Sequence, residues 1–319
     1  MTTDRKLVSI VVPAYNEQDN IDKLAERLAA VFDAEPEYDF EAILVENGST
    51  DRTFDVALAV NERDPRFKLL QLSRNFRMDG GLTAGLANIS GDAAVLMAAD
   101  LQDPPELIHK FLRKWEEGFE VVYQIVTERQ GTGPIRRMNS KLFYWLAGKM
   151  TDGRIPRNVS DFRLVDRKVY ETVNVMEERN RFVRGLFAWV GFSSVGIEAQ
   201  REPRTAGVSG AHTFKVIDLA FKGLFAHSYK PLRMISIFGV TLSALSFLAI
   251  IVFAIRFLVD GVPFAGFGTI ICLFLLMFGF LFTMLGIVSE YVGLVYEEVK
   301  QRPNFVVRRR VGIDENDSR

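Results

Sequence analysis

Apolar residues recur along this chain in three spacings, and each predicts a different element. Short apolar runs, β-branched at Leu7–Pro13, predict strands at Leu7–Pro13, Phe40–Val45, Phe67–Leu72, Ala93–Met97 and Val121–Val126. Between them the apolar period lengthens to that of a helix, as in Ile21, Leu24, Leu28 and Val31. Further helices are expected from the turn at 46–51 to about Glu62, over Gly80–Asn88 and over Pro104–Gly118. Strands alternating with helices predict an α/β fold with a mainly parallel, nucleotide-binding-type sheet. Farther on, Asn139–Met150 reads as a helix with an aromatic face. A helix from about Asn180 carries Arg181, Arg184 and Phe187, and Trp189 is expected in the core.

The third spacing is continuous. Ile235–Ile255 runs without a charge and would extend about 31 Å as a helix, one hydrocarbon core. Phe264–Ser289 is a second such run, so two transmembrane helices are predicted. Thr213–His227 sets Phe214, Ile217, Phe221, Leu224 and Phe225 on one face, as would an interfacial helix or a helix packed on the globular domain. The organisation expected is therefore a globular domain over 1–210, an interfacial region over 211–233, two spans within 234–290 and a tail over 291–319. Lys222, Lys230 and Arg233 precede the first span, and Lys300, Arg302, Arg308, Arg309 and Arg310 follow the second. By the positive-inside rule this predicts an integral protein of the inner cell membrane, with the globular domain and both termini cytoplasmic. Gly239 and Ser243 form a small-xxx-small pair that would suit close helix packing or a homo-oligomer, dimer or tetramer.

Composition narrows the function classes. A net charge of −1 over 319 residues gives no case for nucleic-acid binding. The one cysteine, Cys272, lies in an apolar run, so no disulfide framework is expected. The first apolar run, Leu7–Val12, is too short for a signal peptide. Neither G-x-G-x-x-G nor a Walker A sequence occurs, which argues against a dinucleotide cofactor and a P-loop.

Candidate chemistry centres on Asp92–Glu106. The apolar run stops at Asp100-Leu101-Gln102-Asp103, and Pro104-Pro105-Glu106 opens the next helix with Asp103 as its predicted cap and Glu106 closing a capping box. Asp100 and Gln102 thus come to the carboxyl end of a strand, where open α/β sheets bind ligands. Their oxygens suit Mg²⁺ or Mn²⁺ shared with substrate phosphates; taken alone, the segment reads equally as a solvated acidic loop. The loop Glu128–Arg137 mixes glycine and arginine, which suits a phosphate or a plain solvated loop.

Five segments stand in order: Val11–Glu17, Asn47–Asp51, Leu72–Phe76, Ala99–Glu106 and Asp161–Leu164. Together they resemble the family 2 glycosyltransferases, in the branch that acts on polyisoprenyl phosphates. That resemblance implies a GT-A fold, a nucleotide-sugar donor, a divalent metal and inverting hexosyl transfer to a polyprenyl phosphate, with UDP-glucose the default donor by family frequency. It implies a donor pocket of Pro13, Tyr15, Glu17, Glu46, Gly48, Asp100 and Arg204, and a metal held by Asp100 and Gln102. Asp161 would sit near the sugar, as a general base or as an orienting group. Arg129, Arg136, Arg137, Ser140 and Arg163 would receive the lipid phosphate.

Three positions depart from the family pattern. Ala98 replaces the first acid of a D-x-D, Asn47 replaces a second acid after Glu46, and Gly210 replaces a lysine in the closing loop. A binding partner of weak activity in a glycan pathway is the alternative these departures leave open. A processive synthase would carry Q-x-x-R-W, and this chain has none.

Overall fold

The computed structural model describes residues 5–127, 159–179, 181–202 and 266–313, with scattered positions between 235 and 259. Its elements are β1 (Lys6–Ala14), α1 (Ile21–Ala34), β2 (Tyr38–Glu46), α2 (Thr53–Arg63), β3 (Phe67–Leu72), α3 (Arg77–Leu86), β4 (Ala93–Leu96) and α4 (Leu107–Glu116), followed by β5 (Val121–Val126), β6 (Val159–Asp166), α5 (Arg167–Val175), α6 (Val183–Trp189), β7 (Ser194–Ala199), α7 (Phe267–Lys300) and β8 (Val307–Val311). All eight strands join one sheet in the order β7-β5-β6-β4-β1-β2-β3-β8. β1, β2, β3 and β4 are parallel, β6 and β8 run antiparallel to their neighbours, and β5 and β7 are parallel to each other.

The central strands read as unbroken apolar runs because helices cover both faces. Ile10, Val12, Leu44 and Leu69 meet α1, α2 and α4 on one side. Val11, Val45 and Leu70 meet α3, α5 and α6 on the other. On that second face α3 lies almost on β1: a Cβ at Gly85 would come within 2.2 Å of Val11 Cγ1. β6 is pinned to α4 by the Phe111 and Phe162 rings, 4.8 Å apart and tilted by 55°, a contact worth about 0.5–1.5 kcal/mol beyond area burial.

Two local expectations are corrected. Asp103 does not cap α4. The helix begins at Leu107 behind Glu106, without a side-chain cap bond, because the Asp103 carboxylate is taken by Arg201 instead. Trp189 is not core; at the end of the short α6 it is 62% exposed.

The chain forms two compact units, residues 1–216 with 302–319, and residues 217–301. The final segment, read above as a tail, returns to the first unit. β8 adds to β3 with Leu69 opposite Val311 and Leu72 opposite Val307, and Ser73 N donates to Val306 O at 2.9 Å. Arg310 Nε donates to Asn88 Oδ1, and Asn304 Nδ2 to Glu178 O. In the second unit α7 runs past Ser289 to Lys300. Within it, Leu276–Lys300 is long and apolar enough to cross a membrane, and none of it is buried. The first apolar run, at 235–255, is helical at the positions described.

Candidate active site

The carboxyl ends of β1, β2 and β4 bring three loops to one edge of the sheet. The first two are stitched together. Asn16, in the left-handed region at φ 55°, accepts from Thr50 N at 2.9 Å, while its own N–H donates to Ser49 Oγ at 3.1 Å. Glu17 N donates to Thr53 Oγ1 at 2.9 Å. Pro13 is buried just before β1 ends at Ala14, and Tyr15 stands 42% exposed beyond it. Glu46 is buried and accepts from Ser49 N. Gly48 has φ 66° and lies against the backbone of the next loop, where a Cβ would approach Arg74 C to 2.5 Å, so no other residue fits.

Asn47 has a structural explanation. Its Oδ1 accepts from Phe76 N at 2.8 Å and its Nδ2 donates to Arg77 O at 2.8 Å. A carboxylate could take the first bond but could not donate the second. The amide therefore ties the loop after β2 to the start of α3.

The third loop carries Asp100 and Gln102. Asp100 is buried and its Oδ1 accepts from Gln102 N at 3.2 Å. Leu101 between them is buried with φ 58°, a conformation costly for a branched residue and characteristic of functional loops. The loop is braced from behind. Arg201 donates Nε to Asp103 Oδ1 at 2.8 Å and Nη2 to Asp103 Oδ2 at 3.1 Å, and Ser160 Oγ joins the same group. Glu202 N donates to Gln102 O at 2.9 Å, and Arg27 bridges Glu106 and Glu202. Burial pushes the Asp103 carboxyl up, against the pull of Arg201. Among the described residues no group of three His, Cys, Asp or Glu side chains could hold a metal. One carboxylate and one amide oxygen fit a hard divalent cation that completes its shell with substrate oxygens and water.

Asp161 lies on β6, beside β4, and is clamped. Arg184 on α6 donates to both its oxygens, at 2.8 and 2.7 Å. Burial works to raise this carboxyl, but Arg184, with Arg163 and Arg201 behind it, holds it below its ordinary value. Arg163 is 4% exposed, donates to Ser160 O at 3.0 Å and lies 5.3 Å from the Phe187 ring. Burial lowers its guanidinium to about 10. It supports the strand from beneath. Asp79 on α3 accepts from Val183 N at 3.0 Å, at the start of α6.

Burial pushes Asp79 up to about 6, with the Asp161 charge adding and Arg184 opposing. A carboxyl raised on folding contributes stability below its unfolded value of 3.8 and loses it as the pH rises through about 6. Asp79→Asn is therefore expected to gain stability relative to wild type between pH 4 and pH 7, by about 2 kcal/mol after allowance for screening at a half-buried site. Denaturation of both proteins in detergent across that range checks this; a difference independent of pH would refute it.

Arg129, Arg136, Arg137, Ser140 and Arg204 lie outside the described residues. The structure brings together Pro13, Tyr15, Glu17, Glu46 and Gly48 on one side of the edge, and Asp100, Gln102 and Asp161 on the other. Sequence reasoning assigned no role to Asp79, Arg27 or Glu202 and did not pair Arg184 or Arg201 with its acid. Their partners are 23 to 175 positions away, and no local period marks them.

A parallel core with an acid-bearing loop at its carboxyl edge and antiparallel strands beside it defines a nucleotide-binding fold of GT-A type. The sequence pattern described as Glycosyl transferase family 2 matches residues 9–173. The chain belongs to that family. It is 39% identical to an uncharacterized glycosyltransferase, YkcC, of Bacillus subtilis (strain 168), over 96% of this chain and 94% of that one. It is 38% identical to an uncharacterized glycosyltransferase, sll0501, of Synechocystis sp., over 96% of each. It is 33% identical to the SfII prophage-derived bactoprenol glucosyl transferase of Shigella flexneri, over 95% of this chain and 97% of that one.

Proposed function

We propose that this protein transfers a hexose from a nucleotide sugar, UDP-glucose by default, to the phosphate of a polyprenyl lipid, with inversion at the anomeric carbon. The reaction takes place at the cytoplasmic face of the cell membrane and yields a polyprenyl-phosphate sugar for modification of an envelope glycan. The observation that carries this reading is the likeness to a bactoprenol glucosyl transferase along 95% of the chain, which includes the apolar helix α7.

The chemistry asks little of a general base. A phosphate monoester has a second pKa near about 6, so the acceptor is largely dianionic at neutral pH. It needs to be held in line with the anomeric carbon. Asp161, fixed by both arms of Arg184 and kept below its ordinary pKa, is suited to orienting a sugar hydroxyl and poorly suited to taking a proton. The greater demand is charge on the departing nucleoside diphosphate. Asp100 and Gln102 would hold Mg²⁺ or Mn²⁺ there, and the cation would offset that charge. The tethered chain and the tethered lipid share one interface, which raises their effective concentration.

The test is turnover by the full chain in detergent with undecaprenyl phosphate, a panel of UDP- and GDP-hexoses and Mn²⁺. A lipid-linked sugar is expected; nucleotide-sugar binding without turnover would replace this reading with that of a binding partner. In the same assay Arg136→Ala and Arg137→Ala are expected to raise the KM for lipid phosphate about tenfold or more and leave that for donor within about twofold. An equal loss for both substrates would reject the assignment of the arginine loop to the lipid.

A further inference from the structure

α6 carries Arg184, which clamps Asp161, yet little in its own sequence holds it in place. Its seven residues are too few for a helix to be stable by itself. Phe182, the residue before it, has no side-chain oxygen to cap the first turn. Val183, Leu186 and Phe187 are buried in the core beside α3 and α5. Such apolar contacts decide which face is covered, but they are non-directional and resist a slide along the axis weakly. The directional contact comes from another helix: Asp79 Oδ1 on α3 accepts from Val183 N at 3.0 Å. Val183 is the first residue of α6 and Arg184 the second. The anchor is thus one residue, about 1.5 Å of helix rise, from the clamp.

Asp79 is itself held by a constrained backbone. Arg77, two residues earlier, opens α3 at φ 65°, a left-handed conformation that costs energy in any residue with a side chain. Two asparagines fix it there: Asn75 Oδ1 accepts from Arg77 N at 2.7 Å, and Arg77 O accepts from Asn47 Nδ2 at 2.8 Å. Backbone strain that neighbours over-determine is typical of functional sites. Asp161, Arg184 and Arg181 lie close enough to act on the Asp79 charge. We propose that Asp79 is a positioning residue for sugar transfer: by accepting from Val183 N it sets α6 so that both arms of Arg184 meet Asp161. This rests on the function proposed above, in which Asp161 orients a sugar hydroxyl.

Three variants take the bond apart. Asp79→Ala removes the acceptor, and Asp79→Asn keeps an acceptor of the same shape. Val183→Pro removes the donor and leaves Asp79 in place, at the helix position where proline is best tolerated. Asp79→Ala and Val183→Pro are each expected to lower kcat about 10- to 100-fold, the cost of a small displacement at the reacting centre. The double variant should lose no more than either, since both delete one bond. Asp79→Asn should recover most of the kcat, and free UDP or GDP should bind every variant within about twofold of wild type. Amide exchange across Val183–Trp189, read without substrate, should quicken in Asp79→Ala and Val183→Pro but not in Asp79→Asn. Wild-type kcat in Asp79→Ala overturns the proposal, as does an equal loss in Asp79→Asn. Weakened UDP or GDP binding in step with kcat also overturns it, by placing the effect in the nucleotide loops. If Asp79→Ala does not fold, Val183→Pro set against Asp79→Asn decides alone, and wild-type kcat in Val183→Pro sinks the idea. Absence of wild-type turnover with every UDP- and GDP-hexose tested would instead remove the proposed function and any role in sugar transfer, even where exchange shows that Asp79 anchors α6.

Discussion

Asp100→Asn should lower metal-dependent turnover by about 10²–10³-fold, the usual cost of removing one preorganised electrostatic stabiliser. Asp100 is the acid that the fold delivers to the carboxyl edge beside β6, and the left-handed Leu101 turns Gln102 back so that its N–H meets the Asp100 carboxylate. The neighbouring acid, Asp103, is occupied by Arg201 and cannot substitute without breaking a buried pair. With Ala98 two residues before Asp100, the site has one anion fewer than a D-x-D. Cation and nucleotide should then bind with positive coupling, each strengthening the other by the same factor. Ala98→Asp should tighten Mn²⁺ binding in the absence of nucleotide. Calorimetry of Mn²⁺ with wild type and both variants, with and without nucleoside diphosphate, reads these effects separately from activity. Wild-type binding and turnover in Asp100→Asn would place the cation elsewhere.

The largest loss of stability is expected from Arg201→Ala. The Asp103 side chain is 1% exposed; Arg201 donates two hydrogen bonds to its carboxylate and is its ion-pair partner, and Ser160 Oγ donates a further, longer one. Removing the cation leaves a buried charge uncompensated, at a cost of about 3–5 kcal/mol. Burial already pushes Asp103 up, so the variant should take up a proton there and recover part of its stability as the pH falls. Arg201→Ala paired with Asp103→Leu should recover most of the rest, because an apolar pair leaves no charge unmatched. Chemical denaturation of the wild type and the single and double variants measures this. A double variant no more stable than the single one would show that Arg201 acts through Ser160 and the following backbone.

How legible these features are in the sequence depends on the reach of the interactions that make them. β1 to β5 and the helices between them carry their own periodicity, so their places follow within a few residues. Asp100 and Gln102 follow as well, since a strand end and a Pro-Pro pair mark the loop. What fails is capping at Asp103: the local pattern is that of a helix start, but Arg201, 98 positions on, binds the carboxylate more strongly than a backbone N–H would. Trp189 fails for a related reason, since α6 is too short for its period to distinguish the covered face from the open one. β8 could not be anticipated either. Its sequence, Val-Arg-Arg-Arg-Val, reads as a basic tail, and it becomes a strand only because β3 offers an unpaired edge.

That last strand also sets an arithmetic rule. Between β7 and β8 the chain leaves the sheet and comes back to it, and α7 lies on the way. Main-chain hydrogen bonds cannot reach across a hydrocarbon layer about 30 Å thick, so β3 and β8 must share one compartment. Any excursion through a bilayer between them then comprises an even number of passages. A single crossing by α7 would strand β8 on the wrong side, so a crossing there obliges an opposite one in the apolar stretch 235–255. A chain shortened by that first stretch alone would have to choose between inserting α7 and completing its sheet.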